Sequence, residues 1–130
     1  MIIVPISLGE LFDKITILKI KLDKIKDPQK LANVSKEYIL LSKILTDINF
    51  SENNDYFIKL YEINLKFWEY HDWQRYRWKS IDENMVDVEL YNKTREEHIW
   101  NDQRALIKKQ INTIYNSEIV EEKQFIGYNI

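Results

Sequence analysis

The strongest constraint in this chain is a pair of apolar stripes separated by only a few residues. Leu8, Leu11, Ile15, Leu18, Leu22 and Ile25 recur at alternating spacings of three and four. Leu31, Val34, Tyr38, Leu41, Leu45 and Ile48 repeat the same pattern. An α-helix turns once in about 3.6 residues, so each set lies on one helical face. The starts are marked as well. Ser7-x-x-Glu10 has the spacing of a capping box, and Asp27-Pro28 places an N-cap residue before a proline at the first helical position. Two such helices with a short connection predict an antiparallel hairpin packed at a shallow angle. Phe12, Ile17 and Ile20 fall outside the first stripe, so helix 1 is expected to be covered on more than one side.

The second half repeats the plan with different contents. A polar segment, Asn49 to Asp55, precedes a helix from about Asn54 to Lys79 with the stripe Tyr56, Leu60, Ile63, Phe67 and Tyr70. Trp68, Trp73, Tyr76 and Trp78 load it with aromatics. Residues Ser80 to Asp87 break the pattern. A fourth helix is expected from about Val88 to Tyr115, with Trp100, Leu106, Ile107, Ile111 and Ile114 as its apolar side. Met1 to Ile6 reads as extended. The tail, Ser117 to Ile130, also reads as extended, and could pair with that first segment. The expected fold is all-α: an antiparallel four-helix bundle of two hairpins with short extended ends, one domain over 1–130. The two Gly and two Pro are too few for a turn-rich β-sandwich.

Composition excludes several function classes. Nineteen basic and 21 acidic residues give a net charge of −2, which does not suit a surface built for duplex nucleic acid. No cysteine is present, so disulfides, thiolate metal sites and Cys nucleophiles are excluded. No apolar run approaches the roughly 18 residues of a membrane span. No signal peptide is evident, and cytoplasmic residence is the expectation.

The polar residues that invite a function lie on helices 3 and 4. Asn64, Trp68, Asp72 and Arg75 share one face by their i, i+4, i+8, i+11 spacing. Asn, Asp and Arg can hydrogen-bond a polar ligand, and Trp can stack on a ring. The competing reading is a solvated edge with an Asp72–Arg75 pair and Trp68 at the core boundary. Asn101, Ala105, Lys108 and Asn112 form a second face, flanked by Asp102 and Arg104 and preceded by Thr94 and His98. Asn is a poor helix former, so two on one face call for a buried hydrogen bond or a ligand, or else mark an exposed face. Glu10, Lys14 and Lys21 edge the stripe of helix 1, where Glu10–Lys14 is an ordinary i, i+4 pair. If helices 1, 3 and 4 face one another, Lys14, Lys21, Arg75, Arg104 and Lys108 can converge on phosphate or carboxylate.

Other chemistries find little support. His71 and His98 stand in no metal-ligand spacing, though His98 with Asp102 at i+4 is compatible with a positioned base. Gly9 and Gly127 stand alone, without a phosphate loop, and no Ser–His–Asp framework is recognisable.

Several pieces in order resemble a small family of bacterial and phage proteins of unknown function. They are Ser7 to Leu18, Lys30 to Val34, Asn64-x-x-x-Trp68-x-x-x-Asp72-x-x-Arg75, Asn101-Asp102-x-Arg104-x-x-x-Lys108-x-x-x-Asn112, and Ser117-x-x-Val120-Glu121-Glu122-Lys123. The chain departs from the family pattern at His71, where an acidic residue is usual, and at His98, where a Tyr is usual. The resemblance implies that the polar stripes belong to a shared design. Bacterial members keep company with surface-polysaccharide enzymes, which implies sugar phosphates or nucleotide sugars as ligands.

The resulting expectation is a binding or sequestering protein for an anionic ring-bearing ligand such as a nucleotide or phosphosugar. That ligand would sit between helices 3 and 4, with no cofactor, catalytic residue or metal, in a homo-oligomer. The site set is Lys14, Lys21, Asn64, Trp68, Asp72, Arg75, Asn101, Asp102, Arg104, Lys108 and Asn112. Two alternatives remain. One is an adaptor acting through a protein–protein surface. The other is an all-helical mutase or nucleotide hydrolase using Asp13, Asp72, Asp102, Glu121 and Glu122.

Overall fold

A computed structural model describes residues 1–81, 84 and 87–124. Four helices follow in order: α1 (Leu8–Lys24), α2 (Pro28–Asp47), α3 (Asp55–Trp78) and α4 (Val88–Ile114). Each starts at a side-chain cap. Ser7 accepts from the Glu10 amide, Asp27 from Gln29 and Lys30, Asn54 from Tyr56 and Phe57, and Asp87 from Leu90. These caps satisfy N–H groups that have no partner inside the helix. The ends of α2 and α4 also share a device. Asn49 and Asn116 take positive φ of 65° and 53°. Phe50 N–H then reaches back to Leu45 O and Ser117 N–H to Asn112 O. Asn fills the left-handed position that Gly often fills at helix ends.

The bundle is all-α, and α1 is its axis. α1 packs against α2, α3 and α4, and α3 packs against α4. Of the off-stripe residues of α1, Phe12 and Ile20 are fully buried along with Ile15, and Ile17 is half-buried. Leu11, Phe12, Ile15, Leu45, Phe57, Leu60 and Ile111 form one core. Phe12 meets Phe50 and Phe57 edge to face with ring centroids 5.4 and 5.9 Å apart. α2 is covered on one side only: of its stripe Leu45 is buried, whereas Ile48 is 43% exposed. Lys19 of α1 and Tyr38 of α2 both bond Glu52, pinning the connection into α3.

The stripe expected on α4 is partly displaced. Ile111 is buried, but Leu106 and Ile114 are more than half exposed, and Leu90 is buried at the helix start. No strand forms among the described residues. The extended tail therefore does not pair with the first segment by a ladder over 117–124; the rest of that expectation lies outside the described residues. The tail instead crosses the start of α1, where Leu8 N–H donates to Ser117 Oγ at 3.1 Å and Ser7 Oγ donates to Glu121.

Candidate functional site

A buried carboxylate organises the face where α1, α3 and α4 meet. Asp13 is 2% exposed. Its Oδ1 accepts from Arg104 Nε at 2.9 Å and from Asn64 Nδ2 at 2.8 Å, and its Oδ2 accepts from Arg104 Nη2. The Arg104 fork is thus bidentate, the strongest arrangement for this pair. Asn64 Nδ2 also donates to Thr16 Oγ1 at 2.9 Å, and Thr16 Oγ1 donates to the Asp13 main-chain oxygen at 2.7 Å. The Asn64 amide must present its nitrogen inward, because a carboxylate can only accept.

Lys108 sits one turn along α4 from Arg104 and extends the network. Its Nζ lies 2.6 Å from Glu10, 3.3 Å from Glu121 and 3.9 Å from Asp13. Burial works to lower the Lys108 pKa, but the Glu10 hydrogen bond and the surrounding carboxylates outweigh it and hold the ammonium above its usual 10.5. Arg104 is likewise raised, chiefly by its hydrogen bonds to Asp13, against the opposing effect of burial. Gly9 completes the contact between helices. Its N–H donates to Asn112 Oδ1 at 2.7 Å, and a Cβ there would lie 2.6 Å from Lys108 O.

An open cleft of about 460 Å³ lies beside this network. Ile17 and Ile20 of α1 and Phe67 and Trp68 of α3 give it an apolar and aromatic wall. Asn64, Asn101, Arg104, His98 and the His71–Glu97 pair, 3.1 Å apart, give it a polar one. Its volume falls in the range of small-molecule sites. Trp68 is half-buried, and its indole N–H donates to no described residue. A second cleft of about 310 Å³ lies under the tail, lined by Asp102, Lys108, Asn112, Glu121, Glu122 and Lys123 among others.

The expected site set therefore divides. Asn64, Trp68, Asn101 and Arg104 share the first cleft, whereas Asp102, Lys108 and Asn112 share the second. Lys14 is exposed and pairs with Glu10 at 3.6 Å. Lys21 is half-buried, and Asp72 and Arg75 are exposed on α3; all three lie outside the lining of both clefts. Of the five cations expected to converge on an anion, Arg104 and Lys108 come together, and they do so on the protein's own carboxylates. Asp13, Thr16, Phe67, His71 and Glu97 complete the site and were not in the expected set. For Asp13 and Thr16 a signal exists. Gly9, Asp13, Thr16 and Ile20 follow a 4-3-4 spacing, a second buried stripe that contains only one apolar side chain.

Of the carboxylates of the enzyme alternative, Asp102, Glu121 and Glu122 line the second cleft, but each is engaged by a cation. Glu122 pairs with Lys109 and Asp102 with Lys123, while Asp13 and Glu121 are engaged as above. Among the described residues no group of three or more His, Asp or Glu is placed to hold a metal ion.

The tail contact carries a pH dependence. Burial tends to raise the Glu121 pKa, but the Ser7 hydroxyl, Lys108 and Asn112 more than offset it, so the folded value lies below the usual 4.5. A group depressed by folding stabilises fully above its unfolded pKa and loses that contribution as pH falls through the folded value. Glu121 should therefore release the tail from Ser7 and Lys108 as pH drops below about 4.5. Hydrogen-exchange protection of the Leu8 amide, which bonds Ser117, reads this directly. Protection that stays constant from about pH 6 to about pH 3 would show that an ionised Glu121 does not hold the tail.

No helix among the described residues is long and apolar enough to cross a membrane. No curated protein and no solved structure matches the chain. A family model does: residues 2–130 match the one described as "Family of unknown function (DUF6165)", and the chain belongs to that family.

Proposed function

We propose that the protein binds a small ring-bearing ligand of the phosphosugar or nucleotide class in the cleft between α1, α3 and α4. The observation that carries this reading is the half-buried Trp68 ring in one cleft with Asn64, Asn101 and Arg104. An aromatic face stacks on a ring. The Asn64 carbonyl and the Asn101 amide offer hydrogen bonds to its polar edge. Arg104 already carries Asp13 on Nε and Nη2, so one further guanidinium nitrogen, Nη1, remains for a ligand. That favours a ligand with a single anionic group over a polyphosphate. His98 and His71 also line this cleft.

A thermal-shift screen with nucleoside monophosphates, monophosphorylated sugars and the corresponding neutral sugars tests the reading. A ligand at about 100 times its Kd contributes roughly 2.7 kcal/mol and so raises Tm by several degrees. Trp68→Ala should abolish that shift, and Arg104→Lys should reduce it for the phosphorylated ligands alone. If no member of the panel stabilises the protein, the proposal fails. The adaptor alternative draws support from a different observation, the exposed aliphatic side chains of α2.

A further inference from the structure

A second apolar groove, remote from the cleft, has no occupant among the described residues. It runs between the extended residues 1–6 and α2 and encloses about 860 Å³. Leu40, Ile44 and Ile48 form its α2 wall and are each 43–47% exposed. Opposite them Met1, Ile2 and Ile3 are 98, 88 and 87% exposed, and Val4 62%. Together these residues give the groove an exposed apolar lining, the kind of surface that marks an interaction site.

Two further properties identify the occupant. The backbone N–H and C=O groups of residues 1–6 make no hydrogen bond with any described residue. Ile2, Ile3 and Val4 are β-branched, the composition that suits a strand, and among the described residues the segment has no strand partner. The charges around the groove are balanced: Lys14 and Lys43 against Glu37 and Asp47. An anionic membrane or a nucleic acid would call for an excess of Lys and Arg there. A surface with both signs in equal number, an apolar groove and an apolar strand to fill it is complementary to itself.

We propose that this face joins two copies of the chain about a two-fold axis. The extended segments pair antiparallel across the axis, and each lies against the α2 row of the other copy. Such an interface is isologous and closes at two subunits.

Sedimentation or light scattering of the full chain at about 100 µM should give a dimer, with Kd in or below about the micromolar range. Ile44→Glu should weaken the dimer at least 100-fold. Ile3→Pro removes a backbone N–H while keeping an apolar side chain, and should weaken it as well. The chain has no cysteine, so Ile3→Cys introduces a single thiol beside the axis and needs no disruption of the core. Mild oxidation should convert this variant to a disulfide-linked dimer, whereas Gln110→Cys, on the exposed side of α4, should stay monomeric on a denaturing gel. The crosslink decides the matter even if Ile44→Glu fails to fold. A monomer at 100 µM, an open polymer, a dimer indifferent to both substitutions, or equal crosslinking through the two thiols would each overturn the proposal.

Discussion

Asp13→Ala is expected to cost about 3–5 kcal/mol of folding stability, the range found when one partner of a buried ion pair is removed. The reason is what remains. Asp13 is the common acceptor of Arg104, which forks onto both its oxygens, and of Asn64. Without it, a half-buried guanidinium loses its acceptor in a place water reaches poorly, the buried Asn64 amide keeps only Thr16, and Lys108 loses a neighbouring charge at 3.9 Å. Asp13→Asn keeps the shape but turns a donor toward Arg104 or Asn64, so it should also destabilise strongly. The partner experiment separates the network from the hole it fills. Asp13→Ala with Arg104→Ala should lose less than the sum of the two single losses, because each change removes the group that the other leaves unpaired. Urea unfolding of the four proteins gives the coupling directly. A loss below about 1 kcal/mol for Asp13→Ala would mean that the carboxylate is solvated and the network is not a buried one.

That network also explains what could be read from the sequence and what could not. The helices announce themselves because apolar spacing and caps are local: Leu8 to Ile25 and Leu31 to Ile48 need only the period of a helix to be recognised. Phe12 and Ile20, off the main stripe, were enough to indicate that α1 is covered on several sides. Asp13 and Thr16 are hidden from the same test because it counts apolar side chains, whereas the α1 face toward α3 and α4 is filled by a glycine, an acid and a threonine. The α4 stripe departs at Leu106 and Ile114 for the opposite reason, since these apolar residues stay more than half exposed. Arg104 and Lys108, one turn apart on α4, were legible as neighbouring cations. Their counter-charges were not, because Asp13, Glu10 and Glu121 come from segments some 90 or more residues away for the first two and from the tail for the third. Pairing across such distances is a property of packing, which spacing alone does not encode.

Gly9→Ala is expected to destabilise by about 1–3 kcal/mol or more, and its sign is the informative part. In an ordinary helical position Gly→Ala gains up to roughly 1 kcal/mol, because Ala loses less backbone freedom on folding. Gly9 lies in the first turn of α1 with no positive φ, so its backbone tolerates any residue. What forbids the methyl group is the neighbouring helix. A Cβ would stand 2.6 Å from the Lys108 main-chain oxygen and 3.1 Å from Asn112 Oδ1 and Lys108 Cα. Two of these three atoms belong to the backbone of α4, which cannot turn aside as a flexible side chain would. Moving α1 and α4 apart stretches the Gly9–Asn112 hydrogen bond of 2.7 Å and, one turn further on, the Lys108–Glu10 pair and the Arg104–Asp13 fork. The substitution therefore tests whether the close approach of the two helices sets the geometry of the polar network. Ligand-induced thermal shift, measured on the same variant, should fall together with stability, since Arg104 lines the cleft and is aimed by Asp13. A Gly9→Ala protein as stable as the parent would show that α1 and α4 do not approach this closely.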